Sequence, residues 1–233
     1  MAANQHTNGG RPATGAAIPA FAVYLFDVDG TLLDSAPDIC GALQTVLAST
    51  TRADVSQSWL KQYVGYHLTD LFHDLFPEVA SGEIERLILE YRAAYPARDH
   101  RATTLYPGVV DAMSRLPGRK STATTKGTPT TTLLLERFGL LPFFDHVQGT
   151  DGFPSKPEPD VVLRSLEALD ASPEDCLFVG DSAPDMEAGR RAGVTTCAVR
   201  YGYGNQERMA QWRPDYWIDD LRQLLPGFNL RCR

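Results

Sequence analysis

Six short apolar runs set the frame for this chain: residues 21–26, 121–124, 146–148, 176–179, 195–199 and 216–218. The first is apolar throughout, bounded by Pro19 on one side and by the Asp27–Gly30 turn on the other. An unbroken apolar run of that length suits a parallel strand covered on both faces, because a half-exposed strand would alternate. Helical spacing fills the gaps. Val109, Val110, Met113 and Leu116 form one stripe, and Val161, Val162, Leu166 and Leu169 another. Thr128-Pro129 predicts an N-cap and first helical position for a helix running through Leu133, Leu134 and Phe138 to Gly139. Residues 185–191 predict a short helix stopped by Gly193. Strands alternating with helices predict an α/β fold with a doubly wound parallel sheet.

One block breaks the rhythm. Between residues 36 and 104 the apolar positions fall into four helical groups, around Ile39–Leu47, Trp59–Val64, Leu68–Leu75 and Ile84–Tyr91, with no evident strand. This predicts an inserted helical cap at 36–104. The α/β core then comprises 20–35 and 105–233, and residues 1–19, polar and rich in Gly, Ala and Pro, form a flexible tail.

Composition excludes several classes of function. A formal net charge of −7 without a clustered basic face disfavours nucleic acid as the main partner. No stretch carries the apolar length of a signal peptide or a membrane span, so a cytoplasmic protein is expected. Of the four cysteines, Cys40, Cys176, Cys197 and Cys232, none sits in a CxxC pair, which argues against zinc; Cys176 and Cys197 read as buried thiols. At this length roughly 70–75% of the unfolded surface can be buried, so no disulfide or structural metal is required.

In open α/β sheets, ligands bind at the carboxyl ends of the strands. The polar residues at those ends are Asp27 and Asp29, Thr124 and Thr125, and Gly180-Asp181, with Lys156 on the loop after the third run. Three carboxylates converging on one crevice would repel one another unless a cation sat among them. Oxygen ligands favour a hard divalent ion, Mg²⁺ rather than Zn²⁺.

With these residues in view, the chain resembles the haloacid dehalogenase superfamily. Phe26-Asp27-Val28-Asp29-Gly30-Thr31 is similar to the family's first motif in its DxDGT phosphatase form; Thr124, Lys156 in Ser155-Lys156-Pro157, and Gly180-Asp181-Ser182-Ala183-Pro184-Asp185 follow in the family's order. The likeness runs from Phe21 to about Leu225. The segments Asp34-Ser35-Ala36-Pro37-Asp38 and Tyr106-Pro107-Gly108 are most similar to phosphoglycolate-phosphatase-like members with a helical cap.

The resemblance implies a Mg²⁺-dependent phosphatase of small phosphorylated metabolites. In that scheme Asp27 is the nucleophile and Asp29 the general acid, then the base. Asp27, Asp181 and the backbone carbonyl of Asp29 hold the metal, with Asp185 in support. Thr124 and Lys156 hold the phosphoryl oxygens. Relatives place Asn after the Thr; this chain has Thr124-Thr125-Lys126, so Thr125 is a candidate with an altered phosphate grip. Specificity is assigned to the cap, with the turn at 63–67 and its Gly65 expected to reach the core. A carboxylated substrate would need a cation there, and Arg52, Lys61, His67, Arg92, Arg98 and Arg101 are available. Three other readings stay open: a phosphosugar mutase of the same superfamily, a phosphoryl-accepting signalling domain, and a non-catalytic binding module. The oligomeric state has no signature in the sequence.

Overall fold

The computed structural model describes residues 18–228. The predicted tail up to residue 17, and Cys232, lie outside the described residues. The first apolar run becomes β1 (Val23–Phe26). Its side chains alternate between two buried clusters: Tyr24 and Phe26 enter one, Val23 and Leu25 the other. Both faces of this strand therefore meet packed side chains, as continuous hydrophobicity requires.

Further along the chain come β2 (Leu33–Asp34), α1 (Ala36–Leu47), α2 (Gln57–Lys61), α3 (Leu68–Leu75), α4 (Ser81–Ala97) and β3 (Thr104–Leu105). Then follow α5 (Val109–Arg115), β4 (Arg119–Thr122), α6 (Thr128–Arg137), α7 (Asp160–Ala168), β5 (Cys176–Gly180), α8 (Ala183–Ala192), β6 (Thr195–Val199), α9 (Gln206–Gln211) and β7 (Tyr216–Ile218). Five parallel strands form the sheet in the order β4-β1-β5-β6-β7. Helices α5 and α6 pack on the Tyr24/Phe26 face, and α7 and α8 on the Val23/Leu25 face. A doubly wound α/β core results.

One predicted strand is absent. Residues 146–148 contribute only an isolated bridge between Ser121 and His146. The reason is local: Thr122 Oγ1 donates to the Gln148 carbonyl (2.9 Å) and accepts from the Gln148 amide (2.8 Å), so a side chain takes the place of a backbone ladder. The helix at 128 begins one residue earlier than its spacing suggests, with Gly127 as N-cap and Pro129 in the first turn. Gly193, at φ +78°, ends α8 in the left-handed conformation that glycine adopts readily.

Helices α1 to α4 bury a cluster of their own, built on Leu43, Leu60, Phe72 and Leu87 among others. The chain passes from core to cap through β2 and returns through β3. These two-residue strands pair antiparallel, Leu33 with Leu105 and Asp34 with Thr104. Just beyond them, the buried Asp38 carboxylate accepts from Arg98 Nε (3.1 Å), the Ala102 amide (2.9 Å) and Thr103 Oγ1 (2.9 Å), fastening the start of the cap to its end. Among the described residues no helix is long and apolar enough to cross a membrane.

Candidate active site

The parallel order places the ends of β1, β4 and β5 side by side. Asp27 follows β1 directly, and its amide donates to the Val179 carbonyl (2.9 Å) at the end of β5. The chain then folds back sharply: the Val28 carbonyl accepts from the Leu32 and Leu33 amides, both at 2.9 Å. Gly30 makes that turn at φ +85°, and a Cβ there would stand 2.2 Å from Asp181 Oδ2. Sterics thus demand glycine for two reasons at one position.

Asp27, Asp181 and Asp185 are all buried, and one carboxylate oxygen from each lies within 4.8 Å of the others. Lys156, 1% exposed, is the cation among them. Its ammonium donates to Asp27 Oδ1 (2.9 Å), Asp185 Oδ1 (2.5 Å) and the Ala123 carbonyl (3.0 Å). Those are all three donors an ammonium has. Burial alone would depress the lysine's pKa, but Asp185 and Asp27 outweigh it and hold the pKa above its ordinary value.

One positive charge among three carboxylates leaves an excess of negative charge in a buried space. Burial pushes the Asp27 carboxyl up to about 7, against the opposing pull of Lys156. Asp181 is raised well above its ordinary value by burial first, then by Asp185 and Asp27. The Oδ2 atom of Asp27 is buried with no hydrogen-bond partner. A buried, unpaired carboxylate oxygen is costly, and a cation bound at that atom would offset the cost. The donor set, all carboxylate, fits a hard divalent ion.

Asp181 is held in this cluster by close backbone approach. Its Oδ2 accepts from the Tyr203 amide (2.8 Å), and its Oδ1 from Thr31 Oγ1 (3.4 Å). A Cβ at Gly202 would fall 2.3 Å from the Asp181 Cβ, so the loop after β6 can close over Asp181 only as glycine. Asp185 is set differently. Its Oδ2 accepts from the Ser182 amide (2.9 Å) and hydroxyl (2.6 Å), and its Oδ1 from Lys156, so it orients the lysine and the start of α8.

Asp29 is not one of the three clustered carboxylates. It accepts a hydrogen bond from the Ser35 hydroxyl and an ion pair from Lys126 Nζ at 2.5 Å. Thr124 is fully buried two residues past β4, and its Oγ1 accepts from the Lys126 amide (3.4 Å). Thr125 is half-buried beside it. Gly65 has φ +93°, and a Cβ there would lie 3.4 Å from Ser182 Oγ, so the turn at 63–67 rests on the core next to Asp181. A cleft of about 450 Å³ lies between cap and core, bounded by Trp59, Tyr63 and Tyr66 on one side and Lys156, Pro157 and Pro184 on the other.

Most of the cap cations are occupied elsewhere. Arg52 donates to the Leu75 carbonyl, Arg98 to Asp38, and Arg101 pairs with Asp99, while His67 caps α3 and Arg92 is exposed. Lys61 stands over the Tyr203 ring, 4.8 Å from its centroid. Two residues at the site carried no role in the sequence reading. Lys126 was visible beside Thr125, but its partner Asp29 is 97 residues away. Tyr203 donates its hydroxyl to Asp34 (2.7 Å) and accepts from the Ala36 amide (3.0 Å), joining Asp181 to the cap connection. Only its setting between Gly202 and Gly204 marks it in sequence.

Comparison with known proteins places this geometry. Residues 24–199 match the family model described as haloacid dehalogenase-like hydrolase. Phosphoglycolate phosphatase 1 of Pseudomonas aeruginosa is 35% identical over 229 residues, covering 91% of this chain and 83% of its own. The phosphoglycolate phosphatase of Nitrosospira multiformis is 34% identical, covering 80% and 86%. Among solved structures, a predicted phosphatase from Clostridium acetobutylicum has a TM-score of 0.81 at 26% identity, covering 88% of this chain and 97% of that one. A haloacid dehalogenase-like family hydrolase from Streptococcus pneumoniae shares the fold, with a TM-score of 0.80 at 24% identity over 88% and 96%. The buried carboxylates around Lys156, on this sheet and under this cap, belong to a haloacid dehalogenase-like hydrolase.

Proposed function

We propose that the protein is a Mg²⁺-dependent phosphatase of a small phosphate monoester, phosphoglycolate being the leading substrate, acting through an aspartyl-phosphate intermediate. The observation that carries the proposal is the state of Asp27: Oδ1 tied to Lys156, Oδ2 buried and without a partner. A carboxylate with one oxygen open to a cation and the other held by a lysine that can turn to the phosphoryl group is oriented to attack phosphorus through Oδ1. The names of the relatives support the choice of ester.

Asp27, Asp181, the Asp29 carbonyl and, from behind, Asp185 would hold the Mg²⁺. When bound, the ion supplies positive charge to the phosphoryl oxygens and to the crowded carboxylates. Asp27 forms the bond to phosphorus as the ester oxygen leaves. Asp29, outside the cluster, gives that oxygen a proton and later takes one from water. Lys156 and Thr124 bind the phosphoryl oxygens; the lysine exchanges its bond to Asp27 for one to the transferred group. Thr125, Gly65 and the turn that carries it line the approach from the cap.

The test is phosphate release from a panel of esters with Mg²⁺, including an activated aryl phosphate. Release from none of them would sink the proposal. Asp27→Asn keeps the size of the side chain but removes the nucleophile, so turnover is expected to fall by at least about 10³-fold with the fold intact by circular dichroism. Near-normal turnover in that variant would exclude Asp27 as nucleophile.

A further inference from the structure

Three buried polar side-chain atoms lack a partner among the described residues: Asp27 Oδ2, Tyr95 Oη and His100 Nδ1. The first belongs to the cluster just described. The other two stand together near Lys126, the partner of Asp29. Tyr95, 3% exposed, comes from the end of α4, and its ring meets that of His100 edge-on at 4.8 Å. Lys126 lies over the same Tyr95 ring, its ammonium 4.8 Å from the centroid. Of the three donors on that ammonium, one goes to Asp29 Oδ2, and no other hydrogen bond from it is made among the described residues.

The ion pair with Asp29 accounts for Lys126 but not for Tyr95 and His100. A cap residue whose ring lies under a lysine and whose buried hydroxyl has nothing to bond is arranged for a partner that arrives. His100 adds a second sign. Its backbone is left-handed (φ +46°), as is that of Asp99 (φ +54°), a conformation that non-glycine residues adopt only where the surroundings impose it, and often at functional sites. Burial, reinforced by Lys126, holds the imidazole toward its neutral form, in which it carries a single N–H.

The group that fits is one with oxygen acceptors, a carboxylate: a phenol, an ammonium with spare protons and an imidazole N–H all offer donors. The two nearby carboxylates are already bonded, Asp29 to Lys126 and Ser35, Asp38 to Arg98, Ala102 and Thr103. The arriving group must also be attached close to the scissile oxygen, because Lys126 touches Asp29, the residue assigned to protonate that oxygen. We infer that Tyr95, His100 and Lys126 seat the carboxylate of a phosphorylated 2-hydroxy acid, in which one carbon separates the carboxylate from the bridging oxygen. The inference rests on the phosphatase reading above. It moves recognition of the carboxylate from the arginines of the cap to a core lysine covered by the cap's last helix. Asp27, Asp29 and Lys126 then follow, in order, the phosphoryl group, the ester oxygen and the carboxylate of one small substrate.

The experiment compares 2-phosphoglycolate with 4-nitrophenyl phosphate, which has no carboxylate, on the full chain with Mg²⁺. Tyr95→Phe removes only the hydroxyl and keeps the ring under Lys126; Lys126→Met removes the charge; His100→Ala removes the imidazole. Each is expected to lower the ratio of kcat/KM for phosphoglycolate over the aryl ester by about tenfold or more, chiefly through KM. Melting temperature serves as the control for folding, and Tyr95→Phe is the mildest of the three changes. Equal losses on both esters would reduce Lys126 to a support for Asp29 and overturn the inference. A wild-type protein active on the aryl ester but inert on phosphoglycolate overturns it too, and leaves the phosphatase reading standing. Inertness on both esters overturns that reading and this inference with it.

Discussion

Lys156 has no spare donor: its ammonium is divided among Asp27, Asp185 and the Ala123 carbonyl in a space closed to water. Its removal is therefore expected to do more than delete the ligand proposed for the phosphoryl group. In Lys156→Ala two buried carboxylates lose their counter-charge at once, and breaking a buried pair typically costs about 3–5 kcal/mol. The variant is expected to lose stability of that order in urea denaturation under metal-free conditions, with partial recovery on adding Mg²⁺, and to lose turnover in both conditions. Wild-type stability without metal would show that the carboxylates are not charged when Lys156 is present. Asp27 and Asp181 were legible in sequence because acids at strand ends are chemically conspicuous, and Lys156, on a loop, through the resemblance of its motif. Lys126 and Tyr203 were not, since what distinguishes them is a partner far along the chain.

Elements were legible where periodicity was long enough to register. The stripe Val161, Val162, Leu166 and Leu169 is wholly buried in α7 and its cap. Spacing alone misplaced Val110 and Leu133, 47% and 64% exposed, because an apolar residue at the edge of a stripe can face solvent at little cost. The pair β2–β3 escaped notice for a simpler reason: two residues per strand carry no pattern. The strength of that junction comes instead from Asp38. Asp38→Ala would leave the part-buried Ala102 amide and the buried Thr103 hydroxyl without their acceptor, the hydroxyl alone costing about 1–3 kcal/mol as a buried orphaned group. The expected outcome is a lower urea midpoint, together with faster amide exchange at 102 and 103. Unchanged exchange there would show that Asp38 does not fasten the cap.

At the scale of the whole molecule, the site is expected to make stability depend on pH and on a bound cation together. Asp27 has an unfolded pKa near the ordinary aspartate value and a folded pKa pushed up to about 7 by burial. The folded protein thus binds more protons than the unfolded chain between those values. Stability from this group is complete below the unfolded pKa and is lost as pH rises through about 7; the raised Asp181 acts in the same direction. With a chelator present, the melting temperature is expected to fall from pH 5 toward pH 8. Added Mg²⁺ should reverse that fall, and its stabilising effect should grow with pH as the carboxylates give up their protons. A melting temperature that rises over this range in chelator would contradict the assignment. Fold class was legible at this scale, because alternating strands and helical stripes admit few architectures. The electrostatic character was legible in part: the strand ends brought Asp27, Asp29 and Asp181 toward one crevice with Lys156 near it. The buried cluster holds Asp185 in place of Asp29, because Asp185 bonds Lys156 and Asp29 bonds Lys126.

The pairing of Leu33 with Leu105 and Asp34 with Thr104 has a consequence beyond anchoring. The core meets the inserted segment at two points that are already neighbours, so whatever occupies the interval contributes nothing to the closure of the sheet. Such a junction behaves as a socket. The inserted segment can then differ in length or fold without altering the course of β1 or β4, which leaves the strand-end residues in place whatever covers them.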